Sequence, residues 1–244
     1  MSYLVTSLII QYLNRKTNMI KLLKTTLIVA ICMGCTFMAQ AQKVIKEGTV
    51  TYAVEYNLPA DQQSMAEMLP KEFKVAFKGD YSKFKMDMGM YATSVIFNNA
   101  SNETLSLTDV PMQNKKIAVK MNKEQSEKMR EFQAGEQDFD VTPTTESKKI
   151  AGYNCTKYVL KDKTSGTESE VWATTDIQIP TNSLTSAIKG VKGVPVEFNQ
   201  DARGIKSKMT LKNISEDTVS DIDFQVPTGY EVMDFDALMS QMGG

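Results

Sequence analysis

Hydrophobic and polar residues alternate with a period of two along much of the chain, which is typical of β-strands that bury one face. In the first such segment, Val50, Tyr52 and Val54 share one face, while threonine and glutamate occupy the other. The pattern predicts about ten or eleven strands. They are expected at residues 50–56, 73–77, 84–88, 93–98, 103–108, 116–122, 154–162, 168–174, 194–199, 205–214 and 219–226.

Helical periodicity is confined to short segments, at residues 61–69, 123–132, 182–189 and 234–242. The last segment is amphipathic and predicts a short C-terminal helix. Because strands outnumber helices, the predicted fold class is mainly β (α+β). We expect a large curled antiparallel sheet or half-open barrel with a few short covering helices. The acidic, turn-rich residues 135–145 are predicted to form a long surface loop or a hinge.

The first 41 residues have the anatomy of a signal peptide. A basic region at residues 21–24 precedes the apolar residues 25–38, and Ala39-Gln40-Ala41 matches the small-x-small pattern of a signal peptidase site. The apolar stretch is shorter than the roughly 20 residues that a membrane-spanning helix needs. We therefore expect cleavage after Ala41, a periplasmic or otherwise extracytoplasmic location, and one antiparallel β domain over residues 42–244.

Two further points about this leader stay open. Met19 begins a signal peptide of ordinary length, so either the true start is Met19 or the leader is long. In a second interpretation Met33-Gly34-Cys35 is a lipoprotein signal, and Cys35 becomes a lipid-anchored N-terminus. Cys32 stands where a branched aliphatic residue is usual. A soluble mature protein is therefore favoured over a lipid-anchored one.

Charge and residue content narrow the classes of function. Without residues 1–41 the chain keeps 24 of its 28 basic residues and all 29 acidic residues, a net charge of about −5. This balance lacks the basic surface of nucleic-acid-binding proteins, so we expect no nucleic-acid partner. Cys155 is the only cysteine after residue 41, and no internal disulfide can form. Stability must then come from core burial and the sheet ladder.

The chain contains no histidine. Its absence removes the commonest general base, the Ser-His and Cys-His nucleophile pairs and most zinc sites. Cys155 therefore lacks an activating partner, and we interpret it as a packed thiol in a strand. We expect no catalytic residues, no metal site, no cofactor and no enzymatic activity.

Two short motifs have structural explanations. Residues 82–85 match the S-x-x-K motif of penicillin-recognising enzymes, but a strand places Ser82 and Lys85 on opposite faces. Asp221 and Asp223 belong to the densest acidic group, and in a predicted strand they would lie on a solvated outer face. Neither motif predicts an active site.

Methionine is unusually frequent, since 12 of the 16 follow residue 41. Its flexible, polarizable side chain fills irregular core gaps and also forms adaptable surfaces for apolar ligands. Phe84, Met86 and Met88 share one face of a predicted strand, and Trp172 is expected in the core or a cavity wall rather than on a sugar-stacking platform. We predict that these four residues line an apolar ligand cavity. A loosely specified core is the alternative explanation of the methionines.

Several short motifs, taken in their order, resemble a family of exported bacterial proteins known as domain of unknown function 4412. The resemblance implies an extracytoplasmic domain with no established activity and no catalytic residues to transfer. Through a more distant likeness it implies the LolA-like lipoprotein-carrier fold, a half-open antiparallel barrel with helices over an apolar cavity. The motifs are Ile150-Ala151-Gly152-Tyr153-Asn154-Cys155-Thr156-Lys157-Tyr158, Glu170-Val171-Trp172, Asp176-Ile177, Gly193-Val194-Pro195-Val196-Glu197 and Phe224-Gln225-Val226-Pro227-Thr228-Gly229-Tyr230.

Two functions are consistent with these observations. The first is a non-catalytic exported protein that binds an apolar ligand, such as a lipid or acyl chain, in a concave sheet. The second is a structural or protein-interaction domain of the cell envelope, which meets a protein partner through an exposed sheet edge or its acidic surface and has no small-molecule ligand.

Overall fold

The computed structural model describes residues 42–60, 62–63, 69–134, 138–186, 188–202 and 205–242. The predicted leader, the alternative anchor Cys35 and most of the predicted helix at 61–69 lie outside the described residues. No helix within the described ranges is both long and apolar enough to cross a membrane.

The elements that lie entirely within the described residues are fourteen strands, two α-helices and two short 3-10 helices. The helices are α1 (Lys123–Ala134), α2 (Phe235–Met242), η1 (Pro111–Gln113) and η2 (Asp221–Phe224). The strands are β1 (Lys43–Val44), β2 (Glu47–Asn57), β3 (Glu72–Lys78), β4 (Tyr81–Asp87), β5 (Ala92–Asn98), β6 (Glu103–Val110), β7 (Lys115–Met121), β8 (Phe139–Ile150), β9 (Tyr153–Asp162), β10 (Glu168–Thr174), β11 (Ile177–Gln178), β12 (Val194–Ala202), β13 (Ile205–Ser215) and β14 (Glu231–Met233).

Twelve strands form one mixed sheet in the order β14-β7-β6-β5-β4-β3-β2-β13-β12-β10-β9-β8. Neighbouring strands are antiparallel except for β14 beside β7. The sheet is not closed, and β14 and β8 are its two ends. Strands β1 and β11 form a separate parallel pair. The structure confirms the predicted mainly β fold with a large antiparallel sheet and few short helices.

Ten predicted strands correspond to β2–β7, β9, β10, β12 and β13. Local turn chemistry joins several of them. Gly79 and Asp80 form the tight turn between β3 and β4, and Gly79 has a φ of +56°, a conformation that favours glycine. Short hairpin connections of this kind explain why strands that follow each other in the chain are also neighbours in the sheet.

The sheet has two distinct faces. Residues that lie directly opposite each other on neighbouring strands point to the same side of the sheet. Phe84 lies opposite Val75, and Phe198 lies opposite Val171. The pairing of the strands between them places all four side chains on one side of the sheet. We call this side the inner face and the opposite side the outer face. The inner face includes the buried side chains of Val50, Tyr52, Val54, Val75, Val171, Val196, Phe198, Met209 and Leu211.

The outer face of β3–β7 is covered by the segment that contains η2. Ile96, Leu107 and Ala118 pack there against Val219 and Phe224. The prediction of a strand at residues 219–226 is therefore wrong. This segment lies over a face of the sheet, and the backbone N–H and C=O groups of the strands below are already paired with neighbouring strands. The segment therefore cannot pair as a strand there and packs through its side chains instead.

Two ion pairs attach η2 to the outer face. Lys78 Nζ lies 2.8 Å from Asp221 Oδ1, and Lys83 Nζ lies 3.2 Å from Asp223 Oδ1. The predicted alternation of this segment fails as well, because Ile222 is 74 % exposed while Phe224 is buried. The acidic group thus lies at the surface, as predicted, but in a 3-10 helix rather than a strand.

Helices α1 and α2 pack beside β7. A capping box begins α1: Gln125 N–H donates to Asn122 Oδ1 at 3.0 Å, and Asn122 N–H donates to Gln125 Oε1 at 3.1 Å. Met121, Met129 and Phe235 are buried together there. The structure confirms both predicted helices, at 123–132 and 234–242. Because α1 also contacts β6 and β12, it spans two distant parts of the curled sheet.

Two further predictions are wrong. Most of the predicted loop at residues 135–145 belongs to β8, which pairs with β9 and accommodates Pro143 at a bulge. The predicted helix at 182–189 is not formed by the described residues 182–186, which are turns. The buried Asn182 side chain accepts a hydrogen bond from Leu184 N–H at 3.0 Å, and such local bonding competes with helix formation.

Candidate functional site

An open cavity of about 950 Å³ lies against the inner face of the sheet. Strands β2, β8, β9, β10, β12 and β13, helix α1 and the segment around Leu184 contribute its walls. Four of its apolar side chains are buried and two are half-buried. Together the six are Phe139, Leu160, Val171, Leu184, Ile188 and Phe198.

Strand alternation explains the apolar floor. Val171 lies directly opposite Phe198 in the pairing of β10 with β12, and Leu160 follows Tyr158 on the same side of β9. Because residues two apart share a face, these side chains all point inward. The apolar floor therefore follows from the alternation of inward and outward residues along β9, β10 and β12.

The remaining apolar wall comes from outside the large sheet. Leu184 and Ile188 follow Asn182, whose side chain is buried and bonds the backbone of Leu184. This turn holds the segment against the inner face, where Leu184 joins the main core cluster. The position of Leu184 and Ile188 therefore depends on a turn rather than on a strand.

Polar side chains surround the apolar floor. Asp162 accepts hydrogen bonds from the backbone N–H groups of Thr164 and Ser165, which lower the pKa of its carboxyl group. The charged residues that border the cavity are Glu55, Arg130, Asp162, Asp201, Lys206 and Lys208, of which Lys208 directs its ammonium group to Glu197 on the outer face. An apolar floor below a charged rim is suited to an amphipathic ligand, whose apolar and polar parts need different surroundings.

The four predicted ligand-binding residues lie elsewhere. Phe84 and Met86 are half-buried on the inner face of β4, and Phe84 packs edge-on against Phe73 with 5.1 Å between ring centroids. Met88 follows the end of β4, in a turn where its N–H donates to the carbonyl of Tyr91. None of these three lines the cavity, because β3, β2 and β13 separate β4 from the strands of the floor.

Trp172 lies on the outer face, because its neighbour Val171 points inward. Trp172 is nonetheless only 8 % exposed. Lys148 Nζ stands 4.2 Å from the ring centroid and also pairs with Glu197 Oε1 at 2.9 Å. The structure therefore brings Phe84 and Met86 onto one face but does not bring Trp172 to them.

Sequence reasoning did not select the residues of this cavity. Alternation alone could have placed Leu160 and Phe198 on an inward face. Val171, Trp172 and Ala173 are consecutive apolar residues, however, so alternation could not decide which of them points inward. Leu184 and Ile188 lie in a segment that was predicted to be helical, and Arg130 gave no local signal.

Other reactive side chains stand apart from the cavity. Cys155 is buried in β9, and burial raises the pKa of its thiol. Ser82 is buried on the inner face, while Lys85 lies on the outer face. Among the described residues, no three histidine, cysteine, aspartate or glutamate side chains are grouped to hold a metal ion.

Comparison with known proteins identifies a family and similar structures. The model of the family described as "Domain of unknown function (DUF4412)" matches residues 62–230. Two solved structures of PNGF-II, in space groups C2 and P21, are similar to this chain with TM-scores of 0.45 and 0.47 and identities of 18 % and 16 %. They cover 80 % and 81 % of this chain, which spans about a third of theirs, 32 % and 33 %. No curated protein matches.

Proposed function

The chain belongs to the DUF4412 family, whose function is unknown, and from that premise we propose that it is an exported, non-catalytic protein that binds an apolar ligand such as a lipid or acyl chain. One observation carries the proposal: an open cavity of about 950 Å³ has six apolar side chains beneath a polar rim. Ligand sites in proteins commonly measure about 300–1,000 Å³, so this volume suits a molecule with a long apolar chain.

Burial energetics support this class of ligand. Each methylene group removed from water contributes about 0.8 kcal/mol, so ten of them contribute about 8 kcal/mol. Association costs of about 4–15 kcal/mol oppose this gain. Micromolar binding corresponds to about −8 kcal/mol, so it requires about fifteen or more buried methylene groups, or polar contacts in addition to a shorter chain. Short or strongly polar molecules do not reach it by burial alone.

The export part of the proposal rests on the leader. Cleavage after Ala41 makes Gln42 the first residue, and the Gln42 side chain donates a hydrogen bond to the carbonyl of Ile177 at 3.1 Å. Strand β1 begins at the next residue, so cleavage preserves every described strand. Intact mass of the protein released from cells is expected to correspond to residues 42–244. A diacylglyceryl group on Cys35 would instead establish a lipid anchor.

Displacement of a fluorescent fatty-acid probe tests the ligand. We expect micromolar displacement by long-chain lipids for the wild-type protein. Ile188→Glu places a charge in the cavity wall and is expected to weaken binding at least about tenfold. Ile222→Glu is the matched control, since Ile222 is exposed on η2 and does not line the cavity. A wild-type protein that binds neither lipid nor probe would exclude the proposed function.

The role of Phe84, Met86, Met88 and Trp172 in ligand binding stays a prediction. Met86 lies on the inner face, so a ligand long enough to leave the cavity and cross β2 and β3 would reach it. Met86→Asp then lowers the affinity for long chains more than for short ones. Equal affinities in the wild type and this variant for every chain length would confine the ligand to the cavity.

A protein-interaction function is the second candidate, and one observation favours it. Strand β8 is twelve residues long and lies at one end of the sheet. No described strand pairs with the edge of β8 that is turned away from β9. Two copies of β8 paired antiparallel would bring Asp140 of one chain near Lys149 of the other. Pro143 interrupts that edge, which is why this candidate ranks second.

Sedimentation velocity at increasing protein concentration tests edge pairing. The second candidate predicts a dimer that weakens in the variant Lys149→Glu, because like charges would then face each other. Lys161→Glu, on the neighbouring strand β9, is the control. A monomer at all concentrations would exclude pairing between copies through β8.

A further inference from the structure

Arg130 differs from the other charged side chains of the cavity. Lys208 pairs with Glu197 at 3.2 Å and lies opposite Glu55 in the sheet, and Lys206 lies opposite Asp201. The carboxylate of Asp162 accepts backbone hydrogen bonds. Arg130 has no ion pair or hydrogen bond to any described residue. Lys206 also has no ion pair among the described residues, but it is exposed, so Arg130 is the half-buried cation of the cavity whose charge the described protein groups do not balance.

The partial burial of Arg130 makes its unpaired charge energetically unfavourable. Arg130 is half-buried on α1, and its guanidinium carries a positive charge and five N–H donors. A cation withdrawn from water without a partner is unfavourable. An anion bound at Arg130 would remove that cost. The arrangement is thus better suited to a complex than to the empty protein.

A second unsatisfied group lines the same cavity. The hydroxyl oxygen of Ser183 is buried and has no hydrogen-bond partner among the described residues. Ser183 directly precedes Leu184 of the apolar wall. A hydroxyl there can donate to an oxygen atom of a bound molecule. Arg130 and Ser183 together supply donors beside an apolar floor.

We propose that the ligand is a single-chain anionic amphiphile whose carboxylate or phosphate is bound by Arg130 while its chain lies on Leu160, Val171 and Phe198. This inference rests on the proposed function and names the head group. A neutral lipid would leave Arg130 unpaired. A polyanion would be repelled by the net charge of about −5 after residue 41, whereas one anionic group on an apolar chain is repelled little.

Three probes with the same twelve-carbon chain test the head group: dodecanoate, dodecyl phosphate and dodecanol, each below its micelle concentration. The wild-type protein is expected to bind at least one anion about tenfold or more tightly than dodecanol, as a charge-assisted hydrogen bond implies. The preferred anion then distinguishes a carboxylate from a phosphate head group. This comparison needs no variant, so it does not depend on how a substitution folds.

Substitutions then test whether the preference for the anionic probes depends on Arg130. Arg130→Gln is expected to weaken binding of the anion about tenfold more than binding of dodecanol, and Arg130→Lys is expected to keep part of the preference for the anion. Lys123→Gln is the control, because Lys123 is an exposed cation on the same helix outside the cavity. Ser183→Ala is expected to weaken all oxygen-bearing probes by a smaller factor.

The outcomes separate this inference from the proposed function. Equal affinity of the wild-type protein for dodecanol and both anions would overturn the anionic head group and leave lipid binding intact. An anion preference that survives in Arg130→Gln would overturn the role of Arg130. If none of the three probes binds, both the inference and the proposed function are overturned.

Discussion

The two halves of the large sheet share one alternating pattern but differ in how their faces are covered. In β3–β7 the outer face is covered, with Ile96 and Leu107 packed under Val219 and Phe224. In the half formed by β2, β13, β12, β10, β9 and β8, the outer face instead carries ion pairs between neighbouring strands. They include Lys148 with Glu197, Lys208 with Glu197, and Lys157 with Glu170.

The inner face differs in the opposite sense at β4 and β5, although Val75 of the neighbouring β3 is fully buried. Tyr52, Phe198 and Met209 are almost completely buried in the second half. In β4 and β5 the inward residues Phe84 and Val95 stay half-buried. Alternation creates two chemically different faces on every strand, but a covering segment from elsewhere in the chain decides how deeply each is buried. Each of the following changes tests this contrast.

The largest effect is expected at the centre of the inner face. Phe198 is 2 % exposed and packs edge-on against Tyr52 with 5.6 Å between ring centroids. Phe198→Ala is expected to lower the free energy of unfolding by about 3–5 kcal/mol. Phe224→Ala, under the outer cover, is expected to cost about 1–3 kcal/mol, because η2 can shift to fill the space. Urea unfolding measures both, and an equal or larger loss for Phe224→Ala would contradict the contrast.

Two glycines test the same contrast through the backbone. Gly193 has a φ of +92°, and an added Cβ atom would lie 2.1 Å from the carbonyl oxygen of Thr174. Gly193→Ala is therefore expected to cost about 3 kcal/mol, from backbone strain and a clash with rigid backbone. Gly229 has a φ of +87° but open space around it, so Gly229→Ala is expected to cost about 1–2 kcal/mol. Thermal melting that ranks Gly229→Ala as the more damaging change would refute this account.

Cys155 shows that the outer face of the second half also contains a buried patch. It lies on the outer side of β9, opposite Thr174, and is 1 % exposed. Cys155→Ala is expected to lower the free energy of unfolding by about 1–2 kcal/mol and to leave ligand binding unchanged. Burial raises the pKa of the thiol, so a thiol reagent is expected to react only as the protein unfolds. Fast labelling of the folded protein, or loss of binding in a folded variant, would point to a role for this thiol.

The smallest effect is expected from the outer ion pairs. Burial acts to raise the pKa of the Glu197 carboxyl group, but hydrogen bonds and charges from Lys148 and Lys208 bring it below its ordinary value of 4.5. A lowered folded-state pKa stabilises the protein above the ordinary value, and this contribution is lost as the pH falls through the folded-state pKa. Glu197→Gln should therefore show a smaller loss of stability on acidification below about pH 4.5. The control is Glu168→Gln, and identical acid profiles for all three proteins would exclude this contribution.

Much of the fold could be predicted because its signals are local. The strands β2–β7 alternate clearly, and the turn at Gly79 needs only its own neighbours. Strand β8 could not be recognised in this way. Most of its side chains are exposed on both faces, so it lacks a hydrophobic period, and its pairing with β9 is what makes it a strand. The segment around η2 carries alternating apolar residues, yet the strands beneath it are already paired with one another and leave no backbone groups with which it could pair as a strand.

The sequence by itself determined the two-faced strands, the short helices α1 and α2, and the lack of histidine chemistry. Only the tertiary structure decided that Val171 rather than Trp172 faces the cavity, because consecutive apolar residues carry no period and the pairing with Phe198 sets the direction. It also brought Arg130 of α1 and Leu184 of a turn to the same apolar floor. The approach of Arg130 and Leu184 to the same floor depends on the curvature of the whole sheet. Residues this distant in sequence come close only when every strand between them is paired.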